Sequence, residues 1–186
     1  MTVDELIRDA ERRMDQSIEH TRNEFNTVRT GRASAALLDR IAIDYYGQET
    51  PLKQLATINV PEPRLLTIQP FDPTSVKAIE KAIQESDLGL TPSNDGKVIR
   101  LPIPQLTEER RKELVKVVRH LAEEGRIAVR NVRRDVMHHL KDLVTKGDVG
   151  ADEEHRGEER LQKLTDDHVK SIDEALKHKE AEILEV

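Results

Sequence analysis

The chain has 186 residues, no cysteine or tryptophan, two tyrosines, two phenylalanines, 35% charged residues and a formal net charge of −6. This composition excludes disulfides, thiolate catalysis and thiolate metal sites, and so few rings argue against an aromatic-lined ligand pocket. No apolar run approaches the roughly 18 residues of a membrane span, and the acidic start Met1-Thr2-Val3-Asp4-Glu5 is unlike a secretory signal. The expected address is the cytoplasm, with no membrane contact.

The first segment reads as one long helix. Val3, Ile7, Ala10, Met14, Ile18, Thr21, Phe25 and Val28 follow at steps of three or four and form a single stripe. Thr2 and Glu5 have the spacing of a capping box, and the helix is expected to stop near residues 29–31, where Gly31 can redirect the chain.

From about residue 31 the texture changes. All eight prolines lie between Pro51 and Pro104. Ile41, Ile43 and Tyr45 alternate with Ala42, Asp44 and Tyr46 before Gly47, which predicts a strand and a turn. Further strands are expected over residues 57–60, 65–71 and 98–103, with a short helix capped by Thr74 or Ser75 and facing inward through Val76, Ile79, Ala82 and Ile83. This is an α+β module of modest size.

A second long helix opens after Leu106, with Glu108 and Glu109 suited to its positive end. Leu114, Val118, Leu121, Gly125, Ala128, Val132, Val136, Leu140 and Leu143 supply its expected apolar stripe, up to Lys146-Gly147. A third helix follows residue 152, with Leu161, Leu164, Val169, Ile172, Leu176 and Ile183 facing inward. No one of three amphipathic helices can bury its stripe alone, so they predict a bundle. The fold class is therefore α+β: a three-helix bundle from residues 1–30 and 105–186, with the module of residues 31–104 inserted between helices 1 and 2. Thr30, Gly31, Pro102, Pro104 and Gln105 stand at the two chain crossings and are the candidate hinge.

Charge is uneven along this plan. Residues 1–106 carry 13 basic and 16 acidic groups, residues 107–146 carry 11 and 7, and residues 152–186 carry 6 and 12. On the second helix, Arg119, Arg126, Arg130 and Arg133 fall within about 60° of one another, with Arg134 close by and Glu123 the sole acid in that arc. Two readings stand side by side. A charge run on a helix is usually a solvated face with local ion pairs, but arginine without lysine over residues 119–134 suits bidentate contact with phosphate. No Walker, GxGxxG, GxSxG or HExxH pattern occurs, and the seven histidines lack chelating spacing and are expected to be solvated. No catalytic group, metal or cofactor is expected.

Several segments carry a resemblance. Arg29-Thr30-Gly31-Arg32-Ala33, Tyr45-Tyr46-Gly47 with Pro51-Leu52 and Gln54-Leu55-Ala56, and Ser86-Asp87-Leu88-Gly89-Leu90 resemble the bacterial ribosome recycling factor family. So do Leu106-Thr107-Glu108-Glu109-Arg110-Arg111, Ala128-Val129-Arg130-Asn131-Val132-Arg133-Arg134-Asp135, Leu164-Thr165-Asp166 and Lys179-Glu180-Ala181-Glu182. The resemblance is colinear over essentially the whole chain. It implies an L-shaped, monomeric, non-enzymatic protein of tRNA-like dimensions, whose partners are the ribosome and elongation factor G with GTP. Together they separate the post-termination ribosome into subunits and release it from mRNA. It also implies that the bundle lies on large-subunit RNA and the module faces the inter-subunit bridges. Arg133 maps to the family's important RNA-contacting arginine, with Arg130, Arg111, Arg29 and Arg32 in support; the helical arc adds Arg126, Arg119 and Arg134. The rival class is an acidic helical chaperone or exchange-factor module, which needs neither an arginine stripe nor a hinge.

Overall fold

The computed structural model describes residues 1–185 and contains five α-helices and six strands. The helices are α1 (Val3–Asn26), α2 (Leu52–Leu55), α3 (Val76–Glu85), α4 (Glu108–Thr145) and α5 (Ala151–Leu184); the strands are β1 (Ala42–Tyr45), β2 (Gln48–Pro51), β3 (Ala56–Glu62), β4 (Leu65–Pro70), β5 (Ser93–Asn94) and β6 (Ile99–Pro102). They form two compact units, one of residues 1–28 and 112–186, the other of residues 29–111.

The first unit packs α1 against α4 and α5. Thr2 Oγ1 accepts from the Glu5 amide at 3.1 Å and Glu5 Oε2 accepts from the Thr2 amide at 2.9 Å, so two of the otherwise orphaned N-terminal donors are satisfied reciprocally. All eight residues of the expected α1 stripe are buried, Val28 just beyond the helix end included. The helix stops at Asn26, earlier than expected, and Thr27 closes it by donating its hydroxyl to the Glu24 carbonyl at 2.7 Å.

In α4 the buried seam runs Leu114, Val118, Ala122, Gly125, Val129, Val132, Val136 and Leu140. The sequence had favoured Leu121 and Ala128, which advance by steps as regular as those of Ala122 and Val129. Periodicity could not separate the two choices. Packing does: Leu121 and Ala128 flank the seam, lining a groove of about 500 Å³ between α1 and α4. In α5, likewise, Thr165 and His168 are buried where Leu164 and Val169 were expected.

Two glycines let the helices approach. A Cβ on Gly125 would stand well inside van der Waals contact of Thr21 Oγ1 and 3.2 Å from Ile172 Cδ1; one on Gly157 would meet Val3 Cγ1 at 3.1 Å and Leu140 Cδ2 at 3.4 Å. At each point all three helices converge, leaving no room for a Cβ at Gly125 without a shift of Thr21 and only a tight fit for one at Gly157.

The second unit has its own core, with Leu38, Leu52, Leu66, Ile68, Ile79, Ile83, Ile99 and Leu101 fully buried. A four-stranded antiparallel sheet in the order β3-β4-β6-β5 is joined by a separate β1–β2 hairpin. Strand β2 was not legible, because Gln48-Glu49-Thr50-Pro51 shows no apolar alternation; it forms by pairing with β1, Tyr45 opposite Gln48 and Ala42 opposite Pro51. Asp72, rather than Thr74 or Ser75, supplies the side-chain cap before α3, accepting from the Thr74 amide at 2.9 Å.

Gly125→Ala should lower stability by about 1–2 kcal/mol, because steric conflict in a close-packed core of about 1–3 kcal/mol outweighs a helix-propensity gain of about 1 kcal/mol. Adding Thr21→Ala in the same chain should recover most of that loss, as read by denaturant unfolding. An additive double variant would place the conflict elsewhere.

Candidate nucleic-acid interface

The fate of each α4 arginine is set by what α5 places opposite it. The two helices run antiparallel, and their ion pairs repeat every seven residues: Arg119 Nε lies 2.6 Å from Glu180 Oε1 and Arg126 Nε lies 2.8 Å from Asp173 Oδ1. Glu123 adds to this, 2.8 Å from Arg126 and 3.7 Å from Arg130. The Arg126 side chain is only 19% exposed. Burial works against its charge, but its hydrogen bonds to Asp173 and Glu123 prevail and hold its pKa above the usual arginine value.

The ion pairs are thus not only local to α4. Counting acids on α4 alone found only Glu123, whereas the acids that neutralise Arg119 and Arg126 come from another helix. Continuing the same register by one heptad brings Asp166 to the level of Arg133. There the pattern breaks: Asp166 Oδ1 instead accepts from Gln162 Nε2 at 2.9 Å, and among the described residues neither Arg133 nor Arg134 forms an ion pair. Arg133 is half-buried and Arg134 exposed. Across the other flank, Arg13 of α1 holds Asp135 at 2.6 Å, which lowers the Asp135 pKa through that hydrogen bond.

A second set of arginines lies in the other unit. Arg29 and Arg111 each bury Nε with no hydrogen-bond partner among the described residues. Arg29 reaches the Pro104 carbonyl through Nη2 at 3.3 Å; burial, with Arg110 adding like charge, pulls its pKa below the arginine norm. A buried donor without an acceptor costs about 1–3 kcal/mol. Arg32 and Arg110 are both engaged.

The five candidate hinge residues also fall inside this unit. Gly31 has φ 79°, a backbone angle that favours glycine, while a Cβ there would only come into contact with Leu106 Cγ at 3.4 Å. The chain is tied on either side: the Ala33 amide donates to the Pro63 carbonyl at 2.7 Å and the Ile103 amide to the Arg64 carbonyl at 2.8 Å. Thr30, Pro102, Pro104 and Gln105 lie outside any helix interior, and α4 begins only at Glu108, where Thr107 Oγ1 accepts from the Arg110 amide at 3.1 Å.

The expectation of solvated histidines fails once. His168 is buried, with Nδ1 2.6 Å from the Leu164 carbonyl oxygen and Nε2 2.7 Å from Asp15 Oδ1, tying α5 to α1. Among the described residues no group of three or more potential ligands could hold a metal ion, and no helix is long and apolar enough to cross a membrane.

Asp135 tests the electrostatic account. Its folded pKa lies below the unfolded value of about 3.9, so its pairing stabilises above that value and the stabilisation disappears as pH falls through the depressed folded pKa. Arg13→Gln should therefore melt about 1–3 °C below the wild type near neutrality, and the gap should close as the pH falls through the depressed folded pKa. A gap independent of pH would make Arg13 a packing residue only.

Comparison with known proteins completes the picture. The family model described as Ribosome recycling factor matches residues 21–184. A ribosome-recycling factor from Rubrobacter xylanophilus is 60% identical over 180 residues, covering 97% of both chains. Its counterpart from Carboxydothermus hydrogenoformans is 53% identical over 184 residues, covering 99% of this chain and 100% of that one. A solution structure of the ribosome recycling factor matches with a TM-score of 0.81 at 44% identity, covering 100% of this chain and 99% of the other. A model of the Thermus thermophilus factor (T. thermophilus), bound with E. coli elongation factor G to the E. coli post-termination complex, matches with a TM-score of 0.70 at 46% identity over 100% of both chains.

Proposed function

This chain belongs to the ribosome recycling factor family, and from that premise we propose how its charges act on the ribosome. The protein binds the post-termination ribosome and, with elongation factor G and GTP, promotes its separation into subunits and release from mRNA. It carries no chemistry of its own. The nucleotide belongs to elongation factor G, and this chain contributes binding energy and a body through which the partner's motion is transmitted. Its place of work is the cytoplasm, where the ribosomes are, and it acts as a monomer.

Binding is assigned to Arg133, with Arg130 and Arg134 beside it on α4. The observation that carries this reading is the break in the α4–α5 ion-pair register at Arg133, which leaves a half-buried guanidinium with its charge uncommitted. Such a group suits the bidentate geometry of an RNA phosphate. Arg119 and Arg126, already paired, hold the bundle together. Arg29, Arg32 and Arg111 are supporting contacts in this reading, Arg32 lying three residues after Arg29 in sequence. The module of residues 31–104 is the moving part, flexing at Thr30, Gly31, Pro102, Pro104 and Gln105, of which Pro102 alone belongs to a strand, as the last residue of β6.

A charge reversal separates site from net charge. Arg133→Glu should weaken ribosome co-sedimentation about tenfold or more and leave the melting temperature within about 2 °C of wild type. Lys163→Glu, on the acidic α5, should bind as the wild type does. Equal losses in both variants would reduce the effect to overall charge, and a collapse of melting temperature in Arg133→Glu would make that residue structural.

A further inference from the structure

Three of the four aromatic residues lie in the second unit, and two of them are left outside its core. Tyr46 is 84% exposed and Phe71 is 67% exposed. They belong to one connected surface. The Tyr45 and Tyr46 rings meet edge to face with centroids 4.6 Å apart, the Tyr45 hydroxyl donates to Asp72 Oδ2 at 2.9 Å, and Asp72 directly follows Phe71.

Tyr46 is an odd choice for its position. It and Gly47 form the two-residue loop between β1 and β2, with φ of 51° and 83°. That turn requires positive φ at both positions, which asparagine followed by glycine meets with least strain. Tyrosine is disfavoured there by its Cβ, and its ring is not used to fill the core. Between the hairpin ends the charged residues are Asp44 and Glu49, with Asp72 next to Phe71; the bases that flank these segments in sequence are Arg40, Lys53, Arg64 and Lys77, of which Lys53 is paired with Asp39. Asp44 stands directly opposite Glu49 in the hairpin register, an arrangement in which like charges repel.

We propose that the tip of the β1–β2 hairpin, with Tyr46, Tyr45 and Phe71 set among Asp44, Glu49 and Asp72, is a docking surface for an arginine- or lysine-bearing protein segment. The aromatic faces accept such cations through their quadrupoles, and a bound cation relieves the Asp44–Glu49 repulsion. The same carboxylates repel phosphate, so the chemistry opposes RNA here while favouring it at Arg133. The surface lies wholly within the second unit and does not rest on the ribosome reading.

The protein's own composition provides the readout. Its two tyrosines are both at this tip and it has no tryptophan, so tyrosine emission reports on this surface alone. The full chain would be titrated with a short, end-blocked arginine–glycine peptide and, separately, with an oligouridylate RNA. The peptide should change the emission saturably, and added salt should weaken its binding. Binding should fall about tenfold in the double variant Asp44→Asn, Glu49→Gln and in Phe71→Ala. The double variant removes a repulsion, so it should melt no lower than the wild type and its loss of binding cannot be ascribed to unfolding. Tyr46→Asn, the residue the turn prefers, should hold or raise the melting temperature while weakening the peptide. Emission that responds to the RNA and not to the peptide, or peptide affinity unchanged in the double variant, would overturn the proposal. So would calorimetric binding that leaves the tyrosines silent, since the peptide would then sit on another acidic face.

Discussion

A 38-residue helix with an apolar side chain at every third or fourth position cannot stand alone in water, and burial of the α4 stripe between α1 and α5 is the constraint on which the other features depend. Once that seam is fixed, the rotation of α4 about its axis is fixed as well. With it comes the direction in which each arginine leaves the helix. Gly125 and Gly157 show how closely this is set: side chains from the two other helices fill the space a methyl group would need at Gly125 and crowd it at Gly157. The seam therefore decides the electrostatics. It brings Arg119 and Arg126 to Glu180 and Asp173, and leaves Arg133 at a level where the nearby acid is held by Gln162. Packing and recognition are two consequences of one register.

The second unit meets its requirements separately. Its sheet and α3 enclose an aliphatic core, which keeps the rings of Tyr46 and Phe71 free for the surface. The molecule thus carries two chemically different surfaces: arginine without an ion-pair partner among the described residues on one unit, and exposed aromatic rings on the other. A ribosome contains both anionic RNA and cationic protein, and a factor that carries both kinds of surface can discriminate between them by charge.

Much of this was legible in the sequence. The α1 stripe was correct at all eight positions but left out Leu6, which stands beside Ile7 and is buried as well. The α4 stripe was ambiguous because Leu121 and Ala128 advance as regularly as Ala122 and Val129; only the position of the neighbouring helices decides between them. The same limit governed the arginines. Helical angles correctly put Arg119, Arg126, Arg130 and Arg133 on one side, but the acids opposing two of them lie 47 and 61 residues away in sequence. A pairing between helices that are distant in the chain leaves no local trace. His168 was missed for a similar reason, since its partner Asp15 belongs to α1. Strand β2 escaped notice because it is polar and edge-exposed and is defined by its partner strand.

The central claim is that α5 determines which arginines of α4 remain available to RNA. The most direct measurement is the slope of log binding constant against log salt concentration for ribosome binding, determined for Arg119→Gln, Arg126→Gln and Arg133→Gln beside the wild type. Each phosphate contact contributes about 0.7–0.9 to that slope. Arg133→Gln should lower it by about that amount, whereas Arg119→Gln and Arg126→Gln should leave it unchanged and lower only the melting temperature. Equal decreases in slope for all three would contradict the account, because the arginines paired with α5 would then be contacting phosphate as well.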